Sequence, residues 1–236
     1  MENQPKWDAK LALACFLALT IMVITVYSIF GFGLFQFTSW HLQLDMPLPI
    51  YIIVVPIVEV LVIAITLLFA RNRHADLNDL GLKKTSPKFL ARYLVGLVPL
   101  YLVTAAVMVA LTSVFGPDPI SEAFTKASIP RDPFQLVAYV IVYLGLVGPA
   151  EELAFRGFIQ KGLENSFGPI KGLLIASILF GLPHIANYPY NAVAASASGL
   201  VLGYVWQKTG QNTTATALIH GIYNSIGIIL VYLGNI

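Results

Sequence analysis

Residues 11–37 read LALACFLALTIMVITVYSIFGFGLFQF, a run of 27 residues without a charge. A bilayer hydrocarbon core about 30 Å thick is crossed by roughly 20 apolar residues in a helix, so this run predicts a transmembrane helix. The run is longer than the hydrophobic region of a cleaved signal peptide, and Glu2 and Asp8 precede it. We therefore expect an uncleaved membrane anchor.

The composition of all 236 residues extends this prediction to the whole chain. Hydrophobic residues make up 57% and charged residues 11%, whereas soluble domains carry about 25% charged residues. A chain this short cannot bury so much apolar surface in a core, so most of it must face lipid. This excludes a soluble enzyme, a nucleic-acid binder and a secreted disulfide scaffold. The single Cys15 forms no intrachain disulfide, and a net charge of +2 indicates no polyanionic partner.

Seven segments are apolar enough to be membrane spans. They are residues 11–37, 47–70, 93–115, 134–160, 172–187, 190–207 and 212–234. The sequence therefore predicts an all-α, polytopic transmembrane helix bundle of seven helices, with eight as the alternative. It contains no internal repeat and no soluble segment of domain size, so we expect residues 1–236 to form a single integral membrane domain.

Lysine and arginine are distributed unequally between the two sides of the predicted bundle. Twelve of the 14, with Arg156 included, fall on the side of the N-terminus, and only Lys126 and Arg131 fall on the other. Basic segments flanking spans remain in the cytoplasm. We therefore expect a cytoplasmic N-terminus and an external C-terminus.

Ionisable residues are rare within the predicted spans. A charge placed there costs about 2.5–3.5 kcal/mol, so such residues are candidates for function. The spans contain Glu59, Glu151, Glu152, Arg156, His184 and His220, with Asn224 as a polar companion. Glu59 is left out of the predicted site, because it either hydrogen-bonds within the bundle or lines a cavity.

The densest polar stretch is GPAEELAFRGF, residues 148–158. On a helix, Glu152 and Arg156 are four residues apart and form a pair on one face. Glu151 lies about 140° from Arg156 around the helix, so its charge is less compensated. We hypothesise that Glu151 is a working base positioned by the Glu152–Arg156 pair. The alternative is a buried ion pair that only holds two helices together.

Two later spans carry the histidines. Pro183 weakens the helix just before His184 and frees backbone carbonyls there. His220 and Asn224 are spaced i, i+4 and face the same way. Either feature alone is typical of a structural residue, but together with the glutamates they place polar groups on three spans. Residues 134–236 are therefore expected to carry the catalytic motifs.

Amide hydrolysis suits these groups, since it needs a base for water and donors for the developing oxyanion. Glu151 would take the proton, His184 would orient the water, and His220 with Asn224 would supply donors. No GxSxG motif is present, which favours water as the nucleophile. Alternatively, Glu151, His184 and His220 would form a His₂Glu zinc site with an open water position. HExxH is absent, and the residues leave both mechanisms open.

Three motifs, EExxxR at Glu151–Arg156, FxxxH at Phe180–His184 and HxxxN at His220–Asn224, occur in this order. In them the chain resembles the CPBP (Abi) family of intramembrane endopeptidases, which is related to the type II CAAX prenyl proteases (Ras-converting enzymes). The segment DLNDLGL, residues 76–82, also resembles a family signature before a helix.

The resemblance implies peptide-bond cleavage near the cytoplasmic side of a prokaryotic cell membrane, on a membrane-associated peptide or protein precursor. It implies a catalytic set of six residues, with no cofactor favoured and zinc as the alternative. The set comprises Glu151, Glu152, Arg156, His184, His220 and Asn224. A non-catalytic immunity or scaffolding factor is the alternative function, and a proton-coupled transporter using Glu59 is a further one.

One shared site requires His184 and His220 to lie at similar depths in the membrane. Counted along the predicted spans, His184 lies deeper from the inner end than His220 does. We therefore predict that the fifth helix starts below the interface or tilts, and that the fourth continues past Arg156 to about Leu163.

Overall fold

The computed structural model describes residues 5–29, 50–118, 129–185 and 189–234. Within these ranges the chain forms seven helices and no strand, which confirms the predicted all-α polytopic bundle. The helices are α1 (Ala9–Ser28), α2 (Ile50–Arg71), α3 (Pro87–Phe115), α4 (Pro133–Phe167), α5 (Pro169–Ile185), α6 (Pro189–Lys208) and α7 (Thr213–Leu233). The predicted span residues 30–37, 47–49 and 186–187, with Lys126, lie outside the described residues.

Five of these helices, α1, α2, α3, α4 and α7, are long and apolar enough to cross a membrane. Helix α5 is shorter, and the 20 residues of α6 are richer in alanine and serine. Together, the long apolar helices and their exposed aliphatic side chains make the chain an integral membrane protein.

One end of the bundle is held together by contacts between segments that are distant in the sequence. Lys6 Nζ pairs with Asp79 Oδ2 at 2.6 Å, and the Thr213 N–H donates to Gly81 O at 2.8 Å. Asn165 Nδ2 donates to Trp7 O at 2.9 Å. We call this region, residues 6–9, 72–86, 158–167 and 206–214, the locked end. It brings together the starts of α1 and α7 and the end of α4, as the predicted alternation of spans requires.

Small residues allow α4 to approach α7 closely, and α5 to approach α6. A methyl group at Gly221 would lie 2.9 Å from Tyr143 O in α4. One at Gly199 would lie 3.1 Å from Ser177 Cα in α5. Small residues in α6 and α7 therefore serve helix packing, as in other membrane bundles.

Helix α4 departs from α-helical geometry around the glutamate pair. Residues Tyr143–Val147 and Leu153–Gln160 are π-helical, and they flank the α-helical turn Gly148–Glu152. Pro149 has no N–H and therefore cannot bond the carbonyl oxygen four residues back. The N–H of the preceding residue, Gly148, donates to Tyr143 O, five residues back, as in a π-helix. Such π segments occur frequently at functional sites.

The helix ends test the predicted extents of the fourth and fifth helices. Helix α5 begins at Pro169, three residues earlier than residue 172, where the span was predicted to begin. Helix α4 continues past Arg156 and Leu163 to Phe167. His184 lies in the 3₁₀ turn Leu182–Ile185 that ends α5. The predicted lengthening of the fourth helix is therefore confirmed.

Candidate active site

Glu152 and Arg156 form a buried ion pair on α4. The side chain of Glu152 is fully buried, and its Oε1 lies 2.8 Å from Arg156 Nη1. Arg156 Nη2 donates to Gly199 O at 3.3 Å, and the guanidinium lies 4.4 Å from the centre of the Phe180 ring. These partners compensate the desolvation of the arginine, whose flat group suits both contacts. The predicted pairing is confirmed.

Glu151, the adjacent residue, has different surroundings. Its side chain keeps 22% of its surface exposed and lines two cavities in the bundle. Its Oε2 lies 3.8 Å from His220 Nε2, too far for a direct hydrogen bond. The predicted divergence of the two glutamates is therefore present, with Glu152 packed inside and Glu151 facing open space.

His220 lies between the two glutamates. Its Nδ1 is 3.1 Å from Glu152 Oε1, and its Nε2 is directed toward Glu151. A carboxylate paired with Arg156 accepts hydrogen bonds, so Nδ1 carries the hydrogen. Nε2 becomes a second donor only when the ring is doubly protonated. Glu152 therefore fixes the orientation of the ring and the nitrogen that it presents to the cavity.

His184 is oriented by its own helix. Its Nδ1 lies 3.2 Å from Phe180 O, one turn back in α5. A carbonyl oxygen only accepts, so Nδ1 donates, and Nε2 of the neutral ring is left as an acceptor. The sequence predicted that Pro183 weakens the helix here and frees backbone carbonyls. The helix does end in a 3₁₀ turn at this point, and the Phe180 carbonyl accepts the hydrogen bond from His184.

Phe180 packs between the two histidines. Its ring centre lies 5.9 Å from that of His184 and 5.8 Å from that of His220. The two imidazole rings are therefore less than about 12 Å apart, as a single site requires. Asn224 lines the same cavity as Glu151 and both histidines. The structure thus brings the six predicted residues together, four at the cavity and the Glu152–Arg156 pair behind them.

The larger cavity, of about 360 Å³, lies between α3, α4, α5, α6 and α7 and is referred to as the polar cavity. Sequence reasoning missed two of its residues, Tyr101 and Thr104 of α3. Tyr101 Oη donates to Tyr223 O at 2.7 Å, and Tyr223 Oη donates to Thr104 Oγ1 at 3.0 Å. The one signal for them was their spacing of three residues, on one side of an otherwise apolar helix.

The smaller cavity, of about 160 Å³, lies between α1, α2, α4 and α5 and is referred to as the apolar cavity. Its walls are mostly valine, leucine and phenylalanine side chains. Glu59 of α2 lines it, together with Glu151 and His184. Of the two places expected for Glu59, the structure therefore selects the cavity wall.

Glu151, His184 and His220 are the candidate ligands of the alternative zinc site. Among the described residues, no group of three His, Cys, Asp or Glu side chains is gathered closely enough to hold a metal ion. The Nδ1 atoms of both histidines are bonded to protein oxygens, which leaves Nε2 of each ring for other partners. The residues present do not fit the His₂Glu arrangement, so no step is assigned to zinc.

Fold and site together define a polytopic helical membrane protein whose spans enclose a centre of carboxylate, imidazole and amide groups. The family model described as type II CAAX prenyl endopeptidase Rce1-like matches residues 133–226, which contain all three motifs. Over these residues, which make up less than half of the chain, the sequence is similar to the Rce1-like CAAX protease family, and the match confirms the resemblance found in the motifs. No curated protein and no solved structure matches the chain.

Proposed function

We propose that the chain is an intramembrane endopeptidase that hydrolyses a peptide bond of a membrane-associated peptide or protein, with Glu151 activating water. One observation carries the proposal: of two adjacent carboxylates, Glu151 faces both cavities, whereas Glu152 is fully buried against Arg156 and His220. The family matched by residues 133–226 is a protease family, which supports peptide-bond cleavage.

The attack step uses Glu151 and His184. A water molecule between them donates one hydrogen to Glu151 and the other to His184 Nε2, which has a free lone pair because Nδ1 donates to Phe180 O. Glu151 takes the proton as the water oxygen bonds to the carbonyl carbon of the substrate.

The oxyanion formed by this attack needs donors, and Asn224 Nδ2 and His220 Nε2 line the same cavity. His220 supplies its donor in the doubly protonated form, with Nδ1–H held by Glu152. The proton on Glu151 then passes to the leaving nitrogen as the C–N bond breaks. The products are a carboxylic acid and an amine, which become a carboxylate and an ammonium group by proton transfer, and Glu151 is again ionised. Glu152 and Arg156 are positioning residues in this scheme.

The locked end carries Lys6, Lys83 and Lys161. Basic residues flanking spans favour the cytoplasm, so we place this end, with the N-terminus, on the cytoplasmic side. A C-terminal alkaline phosphatase fusion in a bacterial host is then expected to be active, because this reporter folds only outside the cytoplasm. An inactive fusion at normal expression would reverse the orientation.

Comparative membrane and secreted proteomics tests the proposed activity. Cells expressing the wild-type chain should contain new protein termini that disappear with Glu151→Gln. Glu164→Gln is the matched control, since Glu164 lies on α4 outside both cavities and its amide would still accept from Gln160 and Gln207. Identical termini with and without Glu151 would instead support the non-catalytic immunity or scaffolding alternative.

Chelation tests the mechanism separately. With no step assigned to zinc, we expect 1,10-phenanthroline to leave the cleavage rate of the purified protein unchanged within twofold. Loss of activity in the chelator, with recovery on adding Zn²⁺, would contradict direct activation of water by Glu151 alone.

A further inference from the structure

Glu59 is a buried acid that the proposed mechanism does not use. It lies on α2 with 6% of its surface exposed, and its Oε2 has no hydrogen-bond partner within the described ranges. A buried polar atom of this kind is rare in native structures and indicates a strain, a function or a missing partner. Glu59 is one of the residues that line the apolar cavity.

Most of the other side chains that line the apolar cavity are apolar. Leu19, Val55, Val58 and Val62 line it with aliphatic groups, and the hydroxyl of Thr20 donates to Phe16 O in its own helix. A ligand in this cavity would therefore meet hydrocarbon on most sides, with the carboxyl of Glu59 and the phenol of Tyr27 in the wall and with Glu151 and His184 where the cavity meets the polar cavity. Such surroundings suit an apolar body that ends in a hydrogen-bond donor.

The volume sets the size of this ligand. A dry cavity of about 150 Å³ holds a molecule of the size of benzene, and the apolar cavity measures about 160 Å³. This is room for one large side chain rather than for a length of peptide.

The position of the cavity connects it to the reaction. The apolar and the polar cavity share four lining residues, Val147, Glu151, Phe180 and His184. The water-activating groups therefore lie where the two cavities meet. A peptide whose scissile carbonyl lies at Glu151, with its backbone in the polar cavity, would direct a neighbouring side chain into the apolar cavity.

We propose that the apolar cavity is a specificity pocket for one substrate side chain next to the scissile bond, and that Glu59 selects a side chain with an apolar body and a terminal donor. Tyrosine, tryptophan and lysine have this chemistry. Phenylalanine and methionine match tyrosine and lysine in shape but lack the donor. The inference rests on the proposed peptidase function.

Matched peptides test this proposal on the full-length protein in liposomes. A proteome digest made with glutamyl endopeptidase, which spares internal tyrosine and lysine, serves as the first probe and reveals the cleavage sites. Synthetic peptides based on one site then differ only at the selected position, as Tyr against Phe and Lys against Met. Because a site built to bond a donor discriminates against its absence, we expect the donor member of at least one pair to be cleaved at least tenfold faster in kcat/KM.

Variants of Glu59 identify the group responsible. Glu59→Leu should abolish the tenfold preference, while Glu59→Gln, which keeps an acceptor oxygen, should retain a preference for Tyr over Phe. The wild type could instead prefer Lys over Met without preferring Tyr over Phe. If both Glu59 variants then lose that preference, the donor that Glu59 selects is a cation rather than a neutral group.

Two results would overturn the inference, and they are distinguishable. Wild-type protein that cleaves both members of each pair equally would contradict the pocket but leave the peptidase intact. This measurement needs no variant, so misfolding cannot obscure it. Absence of any cleavage above the Glu151→Gln level would overturn the proposed function and the pocket with it.

Discussion

The polar groups of the locked end and those of the two cavities differ in whether they have hydrogen-bond partners. At the locked end, the Thr213 hydroxyl donates to Leu80 O at 2.6 Å and accepts from Trp206 Nε1 at 3.1 Å. At the cavities, Glu59 Oε2 is buried without a hydrogen-bond partner among the described residues, and Glu151 stands 3.8 Å from its nearest histidine nitrogen. Paired polar groups stabilise the fold, whereas the open ones are available to a ligand.

The Glu152–Arg156 pair lies at the boundary between these regions, and breaking it should have the largest effect on stability. Arg156→Met would leave the carboxylate of Glu152 buried with no cation paired to it and with only His220 and Thr216 as polar partners. We expect a loss of about 3–5 kcal/mol, measured by thermal unfolding in detergent.

The double variant Glu152→Gln/Arg156→Met should recover most of that stability, because both charges are gone. Arg92→Met, at an exposed arginine in α3, is the control for the substitution itself. An Arg156→Met protein as stable as the control would show that the pair is unimportant to the fold.

Gly81 tests the locked end through its backbone. Its φ is +76°, and a Cβ there would lie 2.5 Å from Gln211 O and 2.6 Å from Thr213 Oγ1. Gly81→Ala should therefore cost about 2–4 kcal/mol, from left-handed strain and overpacking together.

Gly210 provides the matched control at the same end of the bundle. Its φ is +70°, but nothing lies within 4 Å of a Cβ placed there. Gly210→Ala should cost only the strain of about 1–2 kcal/mol. Equal losses for the two variants, by thermal unfolding, would show that close packing of the 76–82 loop contributes nothing.

The Lys6–Asp79 pair should have the smallest effect. Partial burial raises the pKa of Asp79, but hydrogen bonds from Lys6 and the Asp76 backbone outweigh it and hold the pKa below its usual value. A lowered pKa contributes stability above the unfolded value near 3.9 and loses it as pH falls further.

Because the pair is partly exposed, with 44% of the Lys6 side chain and 26% of the Asp79 side chain accessible, we expect Lys6→Ala to cost at most about 1 kcal/mol at pH 7. The difference from wild type should shrink as the pH is lowered from 6 to 3, measured by unfolding temperature at each pH. A difference that grows toward acid would have the wrong sign for this pair.

The sequence predicted the parts of this comparison that depend on local periodicity. The spacing of Glu151, Glu152 and Arg156 was enough to predict that Glu152 pairs with Arg156 and that Glu151 points in another direction. The three motifs were also enough to predict that both histidines and Asn224 lie at one site, and all three line the polar cavity. Periodicity tells which face of a helix a residue occupies, and that was sufficient here.

Other features depend on which helices meet, and the sequence does not state this locally. Arg156 and Gln160 donate to the carbonyls of Gly199 and Gly203, so the small residues of α6 expose backbone acceptors as well as allowing close packing. The place of Glu59 follows from the packing of α2 against α4, and the role of the 76–82 loop follows from contacts with α7.

We propose that the two adjacent glutamates have separate tasks, and a pair of matched variants distinguishes those tasks. Glu151→Gln and Glu152→Gln are compared in the same liposomes for cleavage rate and unfolding temperature. The account predicts that Glu151→Gln slows cleavage by about 10²–10⁴ with an unchanged unfolding temperature, and that Glu152→Gln lowers the unfolding temperature, since Arg156 loses its buried partner. Full activity in Glu151→Gln, or an inactive Glu152→Gln protein of wild-type stability, would contradict it.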